Sequence, residues 1–278
     1  MPPARNEVTY ATLEKDWPGA EVDHLSISYA PGGLDLVVAL PRGFLDGLDF
    51  VSNQFVEHVA QQLVEEPGLL REKDARDEVL DPAARPTAGE YVFVPVGEEN
   101  VRFTEFHGPE NKRSRRLAAP TFAVQDEPEL ASHSSGNATE DSFRGRLLTR
   151  DGRDYFSRAT ALFCVATHLV PPTRPDIYEN LRCDPFATSS GLLIDSTAHL
   201  AYEHYMWSLY HKDGLYFFVC FDPTVPPVLA CHGTFFTSDD CRSTRADLPN
   251  LKLINWHFRQ CVLKNVRGYS VRMAINAE

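Results

Sequence analysis

The spacing of apolar residues changes period several times along the chain, and each change predicts an element. From Leu25 to Leu40 apolar residues alternate or run together on both sides of Pro31-Gly32-Gly33, which predicts a β-hairpin. From Asp46 to Glu65 the apolar positions Leu48, Val51, Phe55, Val59 and Leu63 recur every three or four residues, as one face of a helix does. Pro67-Gly68 should end that helix. Charged sequence continues through Asp81-Pro82, after which GEYVFVPV (89–96) predicts a strand and VRFTEF (101–106) its partner. Residues 1–106 thus predict a small α+β unit.

Residues 107–140 have little to bury. They open with the basic cluster Lys112-Arg113-Ser114-Arg115-Arg116 and continue into EPELASHSSGNATED, which predicts a mobile linker or a long insertion. Four cations in five surface residues usually form a solvated face, though such a cluster can also contact a polyanion. From residue 141 the chain is dense again. Phe143 to Leu148 looks helical, Tyr155 to Val170 is rich in strand formers, and Pro171-Pro172 breaks the run. The sequence SSGLLIDSTAHLAYEHYMWSLY then leads through Asp213-Gly214, a hairpin signal, to the strand GLYFFVCF. Leu251, Ile254, Phe258 and Val262 are spaced for a closing helix over the core.

Composition narrows the class. A chain of 278 residues has ample length for a core without disulfide or metal staples. No apolar run approaches the roughly 18 residues of a bilayer span. The opening MPPARNEVTYATLEKDWPG has no apolar stretch of the secretory kind, so the expectation is a cytoplasmic or nuclear chain, not a secreted one. Six cysteines with no C-x-x-C pair are then expected as free thiols. The net charge of −12 argues against a polyanion partner, but it is unevenly distributed. Residues 1–140 carry 12 basic and 25 acidic side chains, whereas residues 141–278 carry 15 and 14. The acidity belongs to the N-terminal half, and the C-terminal half neither demands nor forbids a phosphate ligand.

Two short pieces could carry chemistry. His168 ends an apolar strand, ATHLV, just before the proline break. His199 and Glu203 are four apart on a predicted helix, which puts an imidazole and a carboxylate about 6 Å apart on one face, within reach of one divalent cation. Such a pair also arises by chance in many helices. His257 beside Trp256 reads as a packing residue, Asp239-Asp240 as acids facing water, and Cys164 and Cys220 as core thiols. Neither a G-x-S-x-G elbow nor a Gly-rich phosphate loop is present.

The order of these pieces adds to them. A strand-borne His, a loop, a Gly turn with a short strand (190–194) and a helix bearing His-x3-Glu form the layout of a ββα-metal unit. Here the chain resembles the HNH nuclease family, in particular the HNH domains of many fungal proteins. That family shows R-D-x-x-C-V-x-T-G, A-A-H-[IL]-[VI]-P, N-G-[IL]-L-L and L-H-x-x-F-D blocks, often followed by a W-S-L-Y-like segment. The corresponding stretches are Arg150-Asp151-Gly152-Arg153, Ala166 to Pro171, Ser190 to Ile194, Ala198 to Glu203, and Trp207-Ser208-Leu209-Tyr210 with the aromatic strand 214–221. The last predicted helix, around Trp256 to Val262, also looks like such proteins, so the resemblance covers about residues 142–278.

The resemblance implies a single Mg²⁺, Mn²⁺ or Zn²⁺ held by His199 and Glu203, and His168 as the general base. An imidazole with an ordinary pKa of about 6.5 suits that role. Ser190 stands where the family's base-orienting Asn stands, and offers one donor rather than two. Thr167 stands where the wider family often has a further metal ligand, Asp154 replaces the family's Cys, and Ser157-Arg158 its T-G.

The expectation is therefore an α+β chain in three parts: an N-terminal α+β unit (1–106), a linker (107–140) and an HNH-like ββα-metal core (141–278) with an added aromatic hairpin and closing helix. Its expected function is metal-dependent phosphodiester hydrolysis of nucleic acid, with Arg150, Arg153, Arg158 and Arg259 available for a basic groove. One alternative is a repurposed scaffold acting on a small molecule, such as a secondary metabolite, in a cavity walled by Tyr202, Tyr205, Trp207, Tyr210, Tyr216, Phe217 and Phe218. A second is a non-catalytic interaction protein whose acidic N-terminal unit binds a partner.

Overall fold

The computed structural model describes residues 8–10, 17, 24–29, 38–75, 78–97, 135–242, 247–266 and 268–270. Most of the expected linker and the proposed strand VRFTEF lie outside them. The chain is mixed α+β. Strand β1 (Val8–Tyr10) pairs antiparallel with β11 (Gly268–Ser270), which joins the two ends of the described chain.

The expected hairpin is present as β2 (His24–Tyr29) and β3 (Val38–Pro41), paired antiparallel with Leu25 opposite Leu40. In β2 the alternation of Leu25, Ile27 and Tyr29 with His24, Ser26 and Ser28 puts the apolar set on the buried face. The helix expected over Asp46–Glu65 is shorter, α2 (Asn53–Gln61), and a separate helix α1 (Arg42–Asp46) ends where it was expected to begin. Two features set this boundary. Ser52 caps α2 by accepting from Phe55 N at 3.4 Å, and Gly47 lies against His232, whose ring would collide with any side chain there. Leu48 and Val51 still reach the core, but from the connecting turn.

Strands β4 (Gly68–Glu72) and β5 (Gly89–Pro95) complete a four-stranded sheet in the order β3-β2-β5-β4. Strand β5 runs parallel to β2 and antiparallel to β4.

After residue 134 come α3 (Ser135–Asp151), β6 (Cys164–His168), α4 (Pro175–Leu181), β7 (Gly191–Asp195) and α5 (Ser196–Glu203). They are followed by β8 (Trp207–Lys212), β9 (Leu215–Cys220), α6 (Pro226–Leu229), β10 (Phe235–Phe236) and the closing helix α7 (Leu251–Asn265). Of the strand-rich stretch Tyr155–Val170 only β6 pairs in a ladder. Asp154 holds the residues before it in a loop, accepting from Phe156 N at 2.9 Å and Ser157 Oγ at 2.6 Å. The turn between β8 and β9 has Asp213 and Gly214 both at positive φ, as a two-residue hairpin requires.

One hydrophobic cluster joins the N-terminal sheet and α2 to Tyr210, Phe217, Phe221 and Phe258, so both ends of the chain share a core. Phe50 meets Phe217 at 4.1 Å between ring centroids, and Phe55 meets Tyr210 at 5.0 Å. His232 stitches the same boundary. Its Nε2 donates to the Phe44 carbonyl at 2.9 Å, which leaves Nδ1 to accept from Cys220 N at 3.0 Å.

The C-terminal elements are tied by a buried ion pair at the end of α3. Arg150 and Asp151 are 1% and 3% exposed and bond through both guanidinium and carboxylate atoms. Arg150 also donates to the carbonyls of Thr188, Gly191 and Asp247, each at 2.7 to 2.8 Å, and Asp151 accepts from Leu193 N and the Tyr155 hydroxyl. Truncating one partner leaves the other charge buried and unpaired, a loss of about 3–5 kcal/mol. Asp151→Ala should therefore lower the unfolding free energy in a urea titration by that amount, and a loss under about 1 kcal/mol would show that the pair is dispensable.

Candidate functional site

Strands β6 and β7 form a two-stranded ribbon in which Thr167 opposes Leu192 and His168 opposes Gly191. Successive strand residues project to opposite faces, so this short ribbon has two chemically distinct sides. Cys164, Ala166 and Leu193 pack with Phe143 and Leu147 of α3. Leu192 and Ile194 pack with Ala201 and Tyr202 of α5. Helices α3 and α5 therefore sandwich the ribbon.

Strand β7 passes into α5 without a loop. Asp195 caps the helix by accepting from Thr197 N at 2.8 Å, and its own N donates to Asp154 Oδ2 at 3.1 Å. Helical spacing then places His199 over Thr167. The Thr167 hydroxyl and His199 Nδ1 are 2.8 Å apart, and on the other edge of the ring Nε2 lies 3.6 Å from Glu203 Oε1. When Nδ1 donates to Thr167, Nε2 keeps its lone pair and faces the carboxylate. Two ligands held about 2.1 Å from one cation lie roughly 3.0 Å apart at octahedral and 3.4 Å apart at tetrahedral angles, so this pair is close to a ligand pair in its present rotamers. Thr167 is 3% exposed, while Glu203 is largely in solvent. Among the described residues no three His, Cys, Asp or Glu side chains cluster as a metal site. The donor set present fits a hydrated divalent cation held by two protein ligands, since Mg²⁺ commonly keeps several of its waters.

His168 occupies the other face. Its ring lies flat on Phe143, 4.3 Å between centroids at 13°, with Phe186 edge-on at 5.8 Å. Nε2 is shut off from solvent and has no hydrogen-bond partner among the described residues. Burial pushes this imidazole down to about 4.

The Ser190 hydroxyl, expected to orient the base, donates instead to the Asp184 carbonyl at 2.6 Å. The backbone of Ser190 does reach the site, accepting from Leu169 N at 2.9 Å. A hydroxyl is too short to span the ribbon, and it satisfies the nearest carbonyl. The expected basic groove also changes. Arg150 is consumed by Asp151, and Arg158 lies 4.0 Å from Asp240. Arg144 and Arg146 of α3, close in sequence to Phe143, bond the Cys164 and Phe186 carbonyls, and sequence reasoning missed them although RGR was visible in the helix.

The aromatic residues proposed to wall a cavity are core. Trp207 stacks on Phe218 at 4.0 Å, Tyr202 packs on His257, and Tyr210 and Phe217 pack against the N-terminal unit. Clefts of about 260 and 190 Å³ lie on the N-terminal sheet unit, lined among others by Arg85 and Glu90, away from these rings. His257 is a packing residue, as expected. It is buried, with Nε2 donating to the Tyr202 carbonyl at 3.2 Å and Nδ1 meeting Ser208 Oγ at 3.0 Å. Asp240 accepts from Thr237 N at 2.9 Å and so caps a short turn. All six cysteines are free thiols. Among the described residues no helix is long and apolar enough to cross a membrane.

Three further histidines share the large effect seen at His168, and His211 is lowered less by its burial. Burial also pushes His58 and His232 down to about 4 and His257 down to about 3. The folded protein keeps them neutral, whereas the unfolded chain protonates below its ordinary value near 6.5, so stability rises with pH across the window between 4 and 6.5. Unfolding near pH 5 should take up about three to four protons, read from the slope of denaturation free energy against pH. A flat profile over that window would contradict the neutral assignment. Separately, Thr167→Asp should place a carboxylate on His199 Nδ1, hold the tautomer that leaves Nε2 free and tighten Mn²⁺ binding by calorimetry, by about tenfold. No gain in a folded variant would argue against a cation beside His199.

Comparison with protein-family models, with curated proteins and with solved structures finds no match, so the functional reading stands on this chain's own residues and geometry.

Proposed function

We propose that the chain hydrolyses phosphodiester bonds of nucleic acid at the edge of the β6–β7 ribbon, as an HNH-type unit with a reduced ligand set. The observation that carries this reading is His199, whose Nδ1 is tied to the strand residue next to His168 while its Nε2 faces Glu203. In a strand followed by a strand and a helix, that arrangement puts a candidate base and the anchor of a candidate ligand pair on adjacent residues of one strand, facing opposite sides of the ribbon, so a phosphodiester would have to meet both at the ribbon's edge.

A divalent cation held by His199 and Glu203 would offset charge on the phosphoryl oxygens. His168 takes a proton from the attacking water as the new O–P bond forms. The bond from phosphorus to the leaving sugar oxygen breaks, that oxygen is protonated by solvent, and the imidazolium returns its proton to solvent. Thr167 orients the His199 ring through Nδ1, and with Nδ1 donating to that hydroxyl Nε2 is free. Arg144 and Arg146, close in sequence to Phe143, are the cations of α3 available to a phosphate at His168. The burial of the aromatic cluster removes the support for a small-molecule cavity.

The test is Mg²⁺- or Mn²⁺-dependent cleavage of plasmid and single-stranded DNA and RNA. Cleavage should fall by about 10²–10⁴-fold in His168→Ala, the range of a lost general base, and also fall in His199→Ala and Glu203→Ala. Absence of cleavage by folded wild type, or undiminished cleavage in His168→Ala, would overturn the proposal.

A further inference from the structure

We propose that Phe143 is an autoinhibitory cover on His168, and that the stretch of α3 from Phe143 to Arg146 lifts off the β6–β7 ribbon before His168 meets a phosphodiester. The identity of the covered chemistry rests on the hydrolytic reading above, but the cover itself stands on geometry. A buried ring nitrogen without a partner is unfavourable and calls for an explanation, of which a catalytic role is one. His168 Nε2 is such an atom, and what seals it is one flat contact with Phe143 and one edge contact with Phe186. The space for the Phe143 ring exists because Gly191, opposite His168 in the ribbon, has no side chain; a Cβ there would strike the ring.

The cover is anchored unequally. At the C-terminal end of α3, Arg150 is sunk in a buried network of charge and carbonyls. Two helical turns earlier, Phe143 is held beside two arginines whose bonds to other elements go only to neutral carbonyls. Arg144 donates to Cys164 O at 2.8 Å and Ala161 O at 3.3 Å, and Arg146 donates to Phe186 O at 2.7 Å. Arg146 also bonds the loop that carries Phe186, so releasing Arg146 loosens the hold of both rings on His168. Partly exposed hydrogen bonds of this kind open at lower cost than the buried network at Arg150, so the cost of lifting lies mainly in taking Phe143 out of its apolar cluster.

A phosphate competes for the same guanidiniums with charge-assisted bonds, which are stronger than those to a neutral carbonyl. A polyanion therefore binds the lifted state better than the closed one, which is the differential affinity a conformational shift requires.

The test uses the full chain and reads His168 by diethyl pyrocarbonate labelling with peptide mass spectrometry, alongside cleavage in Mg²⁺. Wild type should label slowly at His168, and Phe143→Ala faster by about tenfold or more, with a rise in cleavage rate. Phe143→Leu keeps apolar volume on the ribbon without a flat ring and should fall between them; it serves as the test variant if the alanine variant does not fold. Labelling that is already fast in wild type, or unchanged in the folded variants, overturns the cover. Labelling that rises while no protein cleaves nucleic acid supports the cover and removes the phosphodiesterase reading.

Discussion

A guanidinium and a carboxylate buried side by side set the geometry on which the rest of the C-terminal half depends. Charges removed from water must be met by fixed partners, and Arg150 and Asp151 find theirs in four places: α3 itself, the turn before β7, β7, and the entry to α7. Outside α3, these partners are backbone groups, each with one position it can occupy, and the Tyr155 hydroxyl of the following loop joins them on Asp151. The pair therefore sets where the β6–β7 ribbon lies against α3, and with it where Phe143 meets His168. The R-D dipeptide that suggested a family opening from sequence acts here as a structural anchor and not as a source of positive charge for a ligand.

The ribbon turns that placement into two faces. Adjacent residues Thr167 and His168 point apart because a strand has a period of two, so one backbone segment serves α5 on one side and α3 on the other. On the α5 side a hydroxyl, an imidazole and an exposed carboxylate line up. On the α3 side a neutral imidazole lies in an apolar stack. The apolar rings around His168 are what depress it, whereas the side chains of His199 and Glu203, at the outer edge of α5, are partly open to solvent.

The N-terminal unit does not stand apart from this. Its helix and sheet share a hydrophobic cluster with β8, β9 and α7, and His232 bonds across the boundary in a single tautomer. The aromatic residues of the hairpin are spent on that shared core. Large flat rings filling facing layers leave no room for a ligand, which is why aromatic density in the C-terminal half did not become a cavity.

How much was legible beforehand follows the range of the forces involved. The hairpin around residues 31–33, the strands at 89–95 and 215–220, helix α7 and the packing role of His257 could be read because each depends on apolar spacing within one short segment. The His199–Glu203 pair was equally local, being one helical turn. The break between α1 and α2 was not, because His232, remote in sequence, fills the space at Gly47. Nor were the partner of Ser190, the burial of Arg150 or the covering of His168, each set by atoms brought from another element. The sequence by itself determined the α+β elements, the free thiols and the two short motifs. Only the tertiary structure decided which polar atoms were satisfied and which face of the ribbon met water, because desolvation depends on every neighbour at once and not on spacing along the chain.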